Sequence, residues 1–153
     1  MAPNLLGKNL VISRAGIPAS YRITEVEAYR GEEDQASHAR FGKTARNSIM
    51  YGEGGFLYIY LIYGMYWMLN IVTGPAGDPQ AILVRGLNSL SGPGILTRSL
   101  GIDKSFHGED LVNSERIWIE DRDEKPLVIK KPRVGINYAG EPWVSNAWRF
   151  ISN

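Results

Sequence analysis

Carboxylates are the main chemistry-bearing side chains of this 153-residue sequence. Cysteine is absent and the only histidines are His38 and His107. That composition excludes disulfides, thiolate nucleophiles, Cys-type zinc sites and iron–sulfur ligation. Two histidines are also too few for an all-His metal site or a His-Glu-x-x-His arrangement. Acid–base work therefore falls to Asp and Glu, and any catalysis is expected to run without a metal or other cofactor. The acids are grouped: Glu25, Glu27, Glu32, Glu33 and Asp34 lie within ten residues, followed from Gln35 to Tyr51 by His38, Arg40, Lys43 and Arg46 with no acid. A second acidic stretch, Glu109 to Glu124, precedes Lys125, Lys130, Lys131 and Arg133. The net charge of +1 hides this segregation, and segregated patches rather than sums reveal charged partners. Solvated loops are the plain reading of such runs.

Each candidate has an ordinary reading. Glu27 taken alone is a strand-end carboxylate that would pair with a neighbour such as Arg22 or Arg30. A lone loop His38 is commonly a surface or hydrogen-bonding residue. Tyr58, Tyr60, Tyr63 and Tyr66 are either core aromatics of a strand pair or a stacking platform. Asn70, a poor strand former amid Met, Leu, Ile and Val, either satisfies a local bulge or faces a polar ligand.

The elements that must hold these residues follow from pattern. The length fits one domain with one core, and 44% hydrophobic with 22% charged residues is a globular composition. Leu10–Gly16 and Tyr21–Gly31 read as two strands joined by a turn at Gly16 and Pro18. Alternation in the second places Ile23, Glu25 and Glu27 on one face and Thr24, Val26 and Ala28 on the other. The long segment 32–53 is expected to be irregular, with a short helix around Gln35–Arg40, and segments of this kind are often functional. Phe56–Val72 supplies two strands bent at Tyr63–Gly64, which puts an exposed Tyr at a hairpin tip. Ala81–Leu87 reads as a buried strand with Arg85 near its end, and 92–102 as a short helix closed by Gly101. Short strands are expected in RIWIED, PLVIKKPRVGI and WRFI, with Asp121–Lys125 as a turn. The fold class is α+β: a single domain, residues 1–153, with a curved antiparallel sheet, a protruding hairpin and a few short helices. The uncharged span 54–77 is too rich in Tyr and too broken by Gly64 for a membrane segment. The opening MAPNLLGKNLVIS lacks a secretory pattern, so a cytoplasmic or nucleoid-associated location is expected.

In combination the residues are less generic. Glu-Ala-Tyr-Arg-Gly (27–31), Ala-Ser-His-Ala-Arg (36–40), Arg-Asn (46–47), Leu-Tyr-Ile-Tyr-Leu-Ile-Tyr-Gly-Met-Tyr (57–66) with Asn70, Leu-Val-Arg (83–85), Gly-Pro-Gly (92–94) and Pro-Arg-Val-Gly-Ile (132–136) together resemble the alkyladenine (3-methyladenine, methylpurine) DNA glycosylase family. They occur in that family's order, and the resemblance runs from Leu5 to Phe150.

The resemblance implies an enzyme that extrudes a damaged purine from double-stranded DNA into a pocket. On this basis Glu27 is the general base that activates water, and Arg85 lies near the DNA backbone and that water. Tyr29 and Tyr60 sandwich the base, His38 hydrogen-bonds it with support from Tyr58, and Asn70 obstructs the 2-amino group of guanine. Tyr63 intercalates from the minor groove. Arg40, Lys43, Arg46 and Asn47 are candidates for backbone contacts. No recognised position is a Lys placed for a Schiff base, so the expected product is free base and an intact abasic site. No metal, membrane or obligate protein partner is implied, and a monomer is expected. The sequence departs from the family in a short 86–94 segment, a nearly absent N-terminal lead helix, Ile95 where Lys is frequent, Ala45 for a usual Pro, and an irregular match over 142–147. Two rivals are a non-catalytic protein that binds single strands on an aromatic sheet and a nucleoside hydrolase. The hydrolase would have no use for a minor-groove wedge.

Overall fold

The computed structural model describes residues 1–153. Nine strands form one antiparallel sheet: β1 (Asn9–Arg14), β2 (Ile17–Arg30), β3 (Leu57–Ile62), β4 (Tyr66–Val72), β5 (Gln80–Leu87), β6 (Leu90–Ser91), β7 (Ile117–Glu120), β8 (Val128–Lys131) and β9 (Arg149–Ser152). The main path runs β3-β4-β5-β2-β1-β7, with β6 beside β5, β9 beside β2, and β8 beside β9. The single helix, α1 (Pro93–Leu100), starts with Pro in its first turn and ends at a left-handed Gly101. It buries Leu96 and Leu100 and packs on β4 and β5. The α+β expectation holds, as do the two hairpins and the helix.

β2 organises the molecule. Its first half pairs with β1 through a tight turn at Ala15–Gly16, and its second half pairs with β5 and β9. Pro18, expected in the turn, lies within the strand opposite Ser13. Pairing with β5 starts only at Ile23, so at Pro18 the strand has one neighbour, a position that tolerates a missing N–H.

The expected alternation along β2 is wrong at one point. Register against β5 shifts between Ile23 and Glu25 and again between Glu25 and Val26. Ile23 and Val26 therefore both reach the main core, with Tyr21 and Ala28 packed against it, whereas strict period-two alternation would send them to opposite faces. Glu25 and Glu27 emerge together on the other face. Such irregularities re-aim side chains, and here they deliver two carboxylates and Tyr29 to the functional side of the sheet. Gly86, opposite Glu25, makes room for this: a Cβ there would lie 3.1 Å from Glu25 Cβ and 3.2 Å from Thr24 Oγ1.

Alternation holds on β3. Leu57 and Ile59 enter the main core, while Tyr58 joins a second, smaller cluster with Ala39, Met50, Val72 and Ala81, against which Tyr60 packs. The 32–53 segment caps that cluster. Its helical turns are His38–Phe41 and Ser48–Tyr51 rather than one around Gln35–Arg40, because the Ser37 side chain accepts the Ala39 N–H and starts the turn there.

Candidate active site

The second cluster opens into a cavity of about 50 Å³ lined by Tyr29, His38, Tyr58, Tyr60, Asn70 and Tyr138, among others. A wider cleft of about 420 Å³ shares His38, Tyr58 and Tyr138 and adds Arg40, Phe41 and Arg46. Separate pieces of chain thus meet: the far end of β2, the β3–β4 hairpin, the capped turn at His38, and the stretch that carries Tyr138.

Glu27 does not line this cavity but joins it through Tyr29, and its side chain is fully buried. Its Oε1 accepts the Val134 N–H at 2.7 Å and its Oε2 accepts the Tyr29 hydroxyl at 2.8 Å. Arg85 Nε is 3.6 Å from Oε1. Arg85 is shared: Nε donates to Glu25 Oε1 at 3.1 Å, and Arg149 Nε donates to the same oxygen at 2.6 Å. Glu27 therefore pairs with neither Arg22 nor Arg30; Arg30 instead sits 3.6 Å from Glu33. A buried carboxylate with both oxygens oriented by donors is a candidate base of fixed geometry.

Burial sets the protonation of the walls. The Tyr29 phenol is held well above its ordinary range, first by desolvation and then by the Glu27 charge, so it stays a donor. Burial pushes Tyr58 up to about 12, against the pull of the nearby Arg46 guanidinium, and it raises Tyr60 as well. His38 moves the other way, down to about 4, through burial and then the Arg46 and Arg40 charges. Its imidazole is neutral at physiological pH. His38 Nδ1 is 2.9 Å from the Tyr58 hydroxyl, and its ring lies 4.3 Å from the Tyr60 ring, centroid to centroid, at 54°.

Asn70 sits opposite Tyr58 in the β3–β4 ladder and is 3% exposed. Its amide nitrogen donates to the Tyr58 and Met68 carbonyls, and the residue is part of the cavity wall. No register shift occurs at Asn70, so its side chain satisfies neighbouring strand carbonyls rather than a bulge.

Tyr63 stands away from the pocket at the tip of the hairpin, 87% exposed. Its φ of 51° and that of Gly64, 64°, are both positive. Glycine adopts this conformation freely and a tyrosine does not. Arg40, Lys43 and Arg46 reach the surface of the loop, with Arg40 4.6 Å from the Phe41 ring centroid and 5.1 Å from that of Tyr138. Asn47 corrects its expected surface role. It is 2% exposed, its Oδ1 accepts the Thr44 N–H, and its Nδ2 donates to the His38 and Gly42 carbonyls. The side chain is consumed in shaping the loop and offers nothing to a backbone phosphate.

Sequence reasoning missed the residues that hold this arrangement. Asp34 and Arg133, read as members of solvated charge runs, form a fully buried bidentate pair, Nη1 to Oδ2 at 2.6 Å and Nη2 to Oδ1 at 2.9 Å. Arg133 stands in the Pro-Arg-Val-Gly-Ile motif, but a separation of 99 residues gave no sign that Asp34 is its partner. Glu25 and Arg149 were missed for the same reason, as was Tyr138, whose hydroxyl donates to the Ala36 carbonyl at 3.1 Å. His107 is structural: its Nδ1 accepts the Ile59 N–H at 3.2 Å, behind Tyr58. No group of three or more His, Asp or Glu side chains converges as metal ligands would, and no helix is long and apolar enough to cross a membrane.

The chain matches the profile of the family described as Methylpurine-DNA glycosylase (MPG) over residues 1–91 and 86–153. The two stretches meet at the short 86–94 segment. It is 45% identical to a protein of Anaeromyxobacter dehalogenans (strain 2CP-C), over 98% of this chain and 76% of that one. It is 44% identical to one of Wolbachia pipientis wMel, over 98% and 83%, and 40% identical to one of Desulfitobacterium hafniense (strain Y51), over 98% and 87%. All three bear the name "Putative 3-methyladenine DNA glycosylase". A family profile matched along both halves, with relatives this similar over nearly the whole chain, shows that the protein belongs to the methylpurine-DNA glycosylase family, whose activity is that of DNA glycosylases in DNA repair.

Proposed function

We propose that this DNA glycosylase is monofunctional, built as a single domain, and releases alkylated and deaminated purines from duplex DNA by base flipping and water attack, leaving an intact abasic site. The observation that carries the proposal is the buried Glu27 carboxylate, held by Val134 N–H and Tyr29 Oη beside an aromatic cavity. A base inside the duplex is out of reach of any such carboxylate, so it must leave the stack. Tyr29 and Tyr60 then flank it. Tyr58, protonated, donates to His38 Nδ1; the proton of the neutral imidazole is then on Nε2, a donor for an acceptor on the purine.

Cleavage of the N-glycosidic bond develops positive charge on the sugar. Glu27 takes a proton from water as the oxygen attacks the anomeric carbon, and its negative charge stabilises the oxocarbenium-like transition state. The bond to the base breaks, and the base leaves with the bonding electron pair. Arg85, beside both Glu25 and Glu27, orients the water and limits repulsion between the two carboxylates. Arg40, Lys43 and Arg46 meet phosphates, which makes binding salt-dependent.

The aromatic-platform alternative loses its footing. Tyr58 is buried, and the Tyr58 and Tyr60 rings are tilted 39° to each other within the fold, whereas stacking a single strand needs exposed faces. The deciding experiment is base release from a duplex carrying one hypoxanthine, in excess chelator. Free hypoxanthine and an alkali-labile but unbroken strand are expected. Loss of release in chelator with recovery on adding a divalent metal, or coupled strand cleavage, overturns the mechanism.

A further inference from the structure

We infer that the buried Asp34–Arg133 pair is a positioning device for the general base, acting through the backbone of residue 134; the inference rests on Glu27 being that base. Residues 132–135 follow β8 and make no backbone–backbone hydrogen bond. What fixes this stretch is Arg133, whose guanidinium is turned inward. Nη1 and Nη2 grip Asp34, and Nη1 also donates to the Ala28 carbonyl at 3.0 Å, on β2 next to Glu27. Asp34 is anchored in turn: its Oδ2 accepts the Arg30 N–H at 3.1 Å and its Oδ1 the Ala36 N–H at 3.0 Å. The pair therefore ties the end of β2, the start of the capping loop and the 132–136 stretch into one unit.

Both donors that orient Glu27 come from residues that Arg133 holds. Val134 is its chain neighbour, and its N–H reaches Glu27 Oε1 at 2.7 Å. Tyr29, whose hydroxyl reaches Oε2, presents its ring face to the same guanidinium at 4.7 Å, with Trp148 at 5.0 Å. A planar fork suits this task, because it fixes direction as well as charge. A buried ion pair by itself contributes little net stability, since desolvation offsets the attraction. Its location, one residue from a backbone donor to the general base, gives it a function that stability does not.

The test is single-turnover excision of hypoxanthine at saturating enzyme, so that binding drops out of the rate, alongside equilibrium binding to the same lesion duplex. Three perturbations are compared. Replacing valine 134 by its α-hydroxy acid turns the amide into an ester, removes the N–H and leaves every side chain in place. Asp34→Asn with Arg133→Gln leaves a neutral hydrogen-bonded pair without a buried charge. Arg133→Lys keeps the charge but loses the fork. Each is expected to slow excision about tenfold or more, the scale of one hydrogen bond to a charged group, with lesion binding within about twofold of the parent.

The decisive readout is non-additivity. In a Glu27→Gln background the same changes should cost less than about twofold, because they act only through that carboxylate. A purely structural role would slow both backgrounds alike, and that result overturns the inference, as does an ester variant at parental rate. Should the double variant fail to fold, Arg133→Lys and the ester still decide. If Glu27→Gln itself keeps the parental rate, the assignment of the base has failed, a result separate from failure of the clamp.

Discussion

The Tyr29 hydroxyl donates to Glu27 Oε2 at 2.8 Å, so one tyrosine both walls the cavity and orients the carboxylate beneath it. The two roles can be separated. Tyr29→Phe keeps the ring and should preserve lesion binding while slowing single-turnover excision by about tenfold or more. Glu27→Gln should slow it by at least about a hundredfold, the scale of a positioned general base, again with binding retained. A Phe variant that loses binding and keeps rate would assign the hydroxyl to the ligand instead.

His38 should titrate near pH 4. With only two histidines, its ring resonances are readily followed by NMR. The folded value lies below the ordinary 6.5, so the unfolded chain binds the proton first as pH falls. The stability that His38 contributes is present above about pH 6.5 and is lost as pH drops toward 4. The difference in unfolding free energy between the parent and His38→Gln should therefore shift against the parent across that window. A midpoint near 6.5 for His38 would mean that its ring is solvated.

Under the proposed function, Tyr63 trades stability for a wedge role. A side chain at φ 51° is strained, whereas glycine is not, so the unfolding free energy of Tyr63→Gly should exceed that of Tyr63→Ala by up to about 1 kcal/mol. Both should bind a lesion duplex more weakly, since stacking of this kind contributes on the order of 1–3 kcal/mol. Both should lose less on a lesion in an unpaired bulge, where extrusion is easy. Equal losses on the two substrates would remove the wedge role.

Asn70 cannot swing aside, because its amide nitrogen is tied to two backbone carbonyls. Guanine carries a 2-amino group on its minor-groove edge that adenine and hypoxanthine lack, and under the proposed function a fixed side chain there would exclude it by contact. Asn70→Ala should raise single-turnover release of guanine from a guanine–thymine mismatch relative to hypoxanthine, with some loss of stability. No rise in guanine release from the folded variant would confine Asn70 to the strand.

The local structure of this protein was legible in its sequence. Gly-Pro and Gly101 bracketed α1, and Tyr63–Gly64 marked the hairpin bend. These follow from backbone sterics and burial over a few residues, which a sequence carries in full. The motifs around Glu27, His38 and Asn70 likewise stood out as a set. Tertiary structure alone decided what long-range pairing controls. The register shift opposite Gly86 depends on the β5 partner strand, and it reversed the face assigned to Ile23. Asn47 faces inward because the loop closes around it. Asp34 and Arg133 resemble any exposed charges until the fold brings them together across 99 residues and excludes water from both, and only then does a buried fork, rather than a solvated charge run, stand behind the carboxylate.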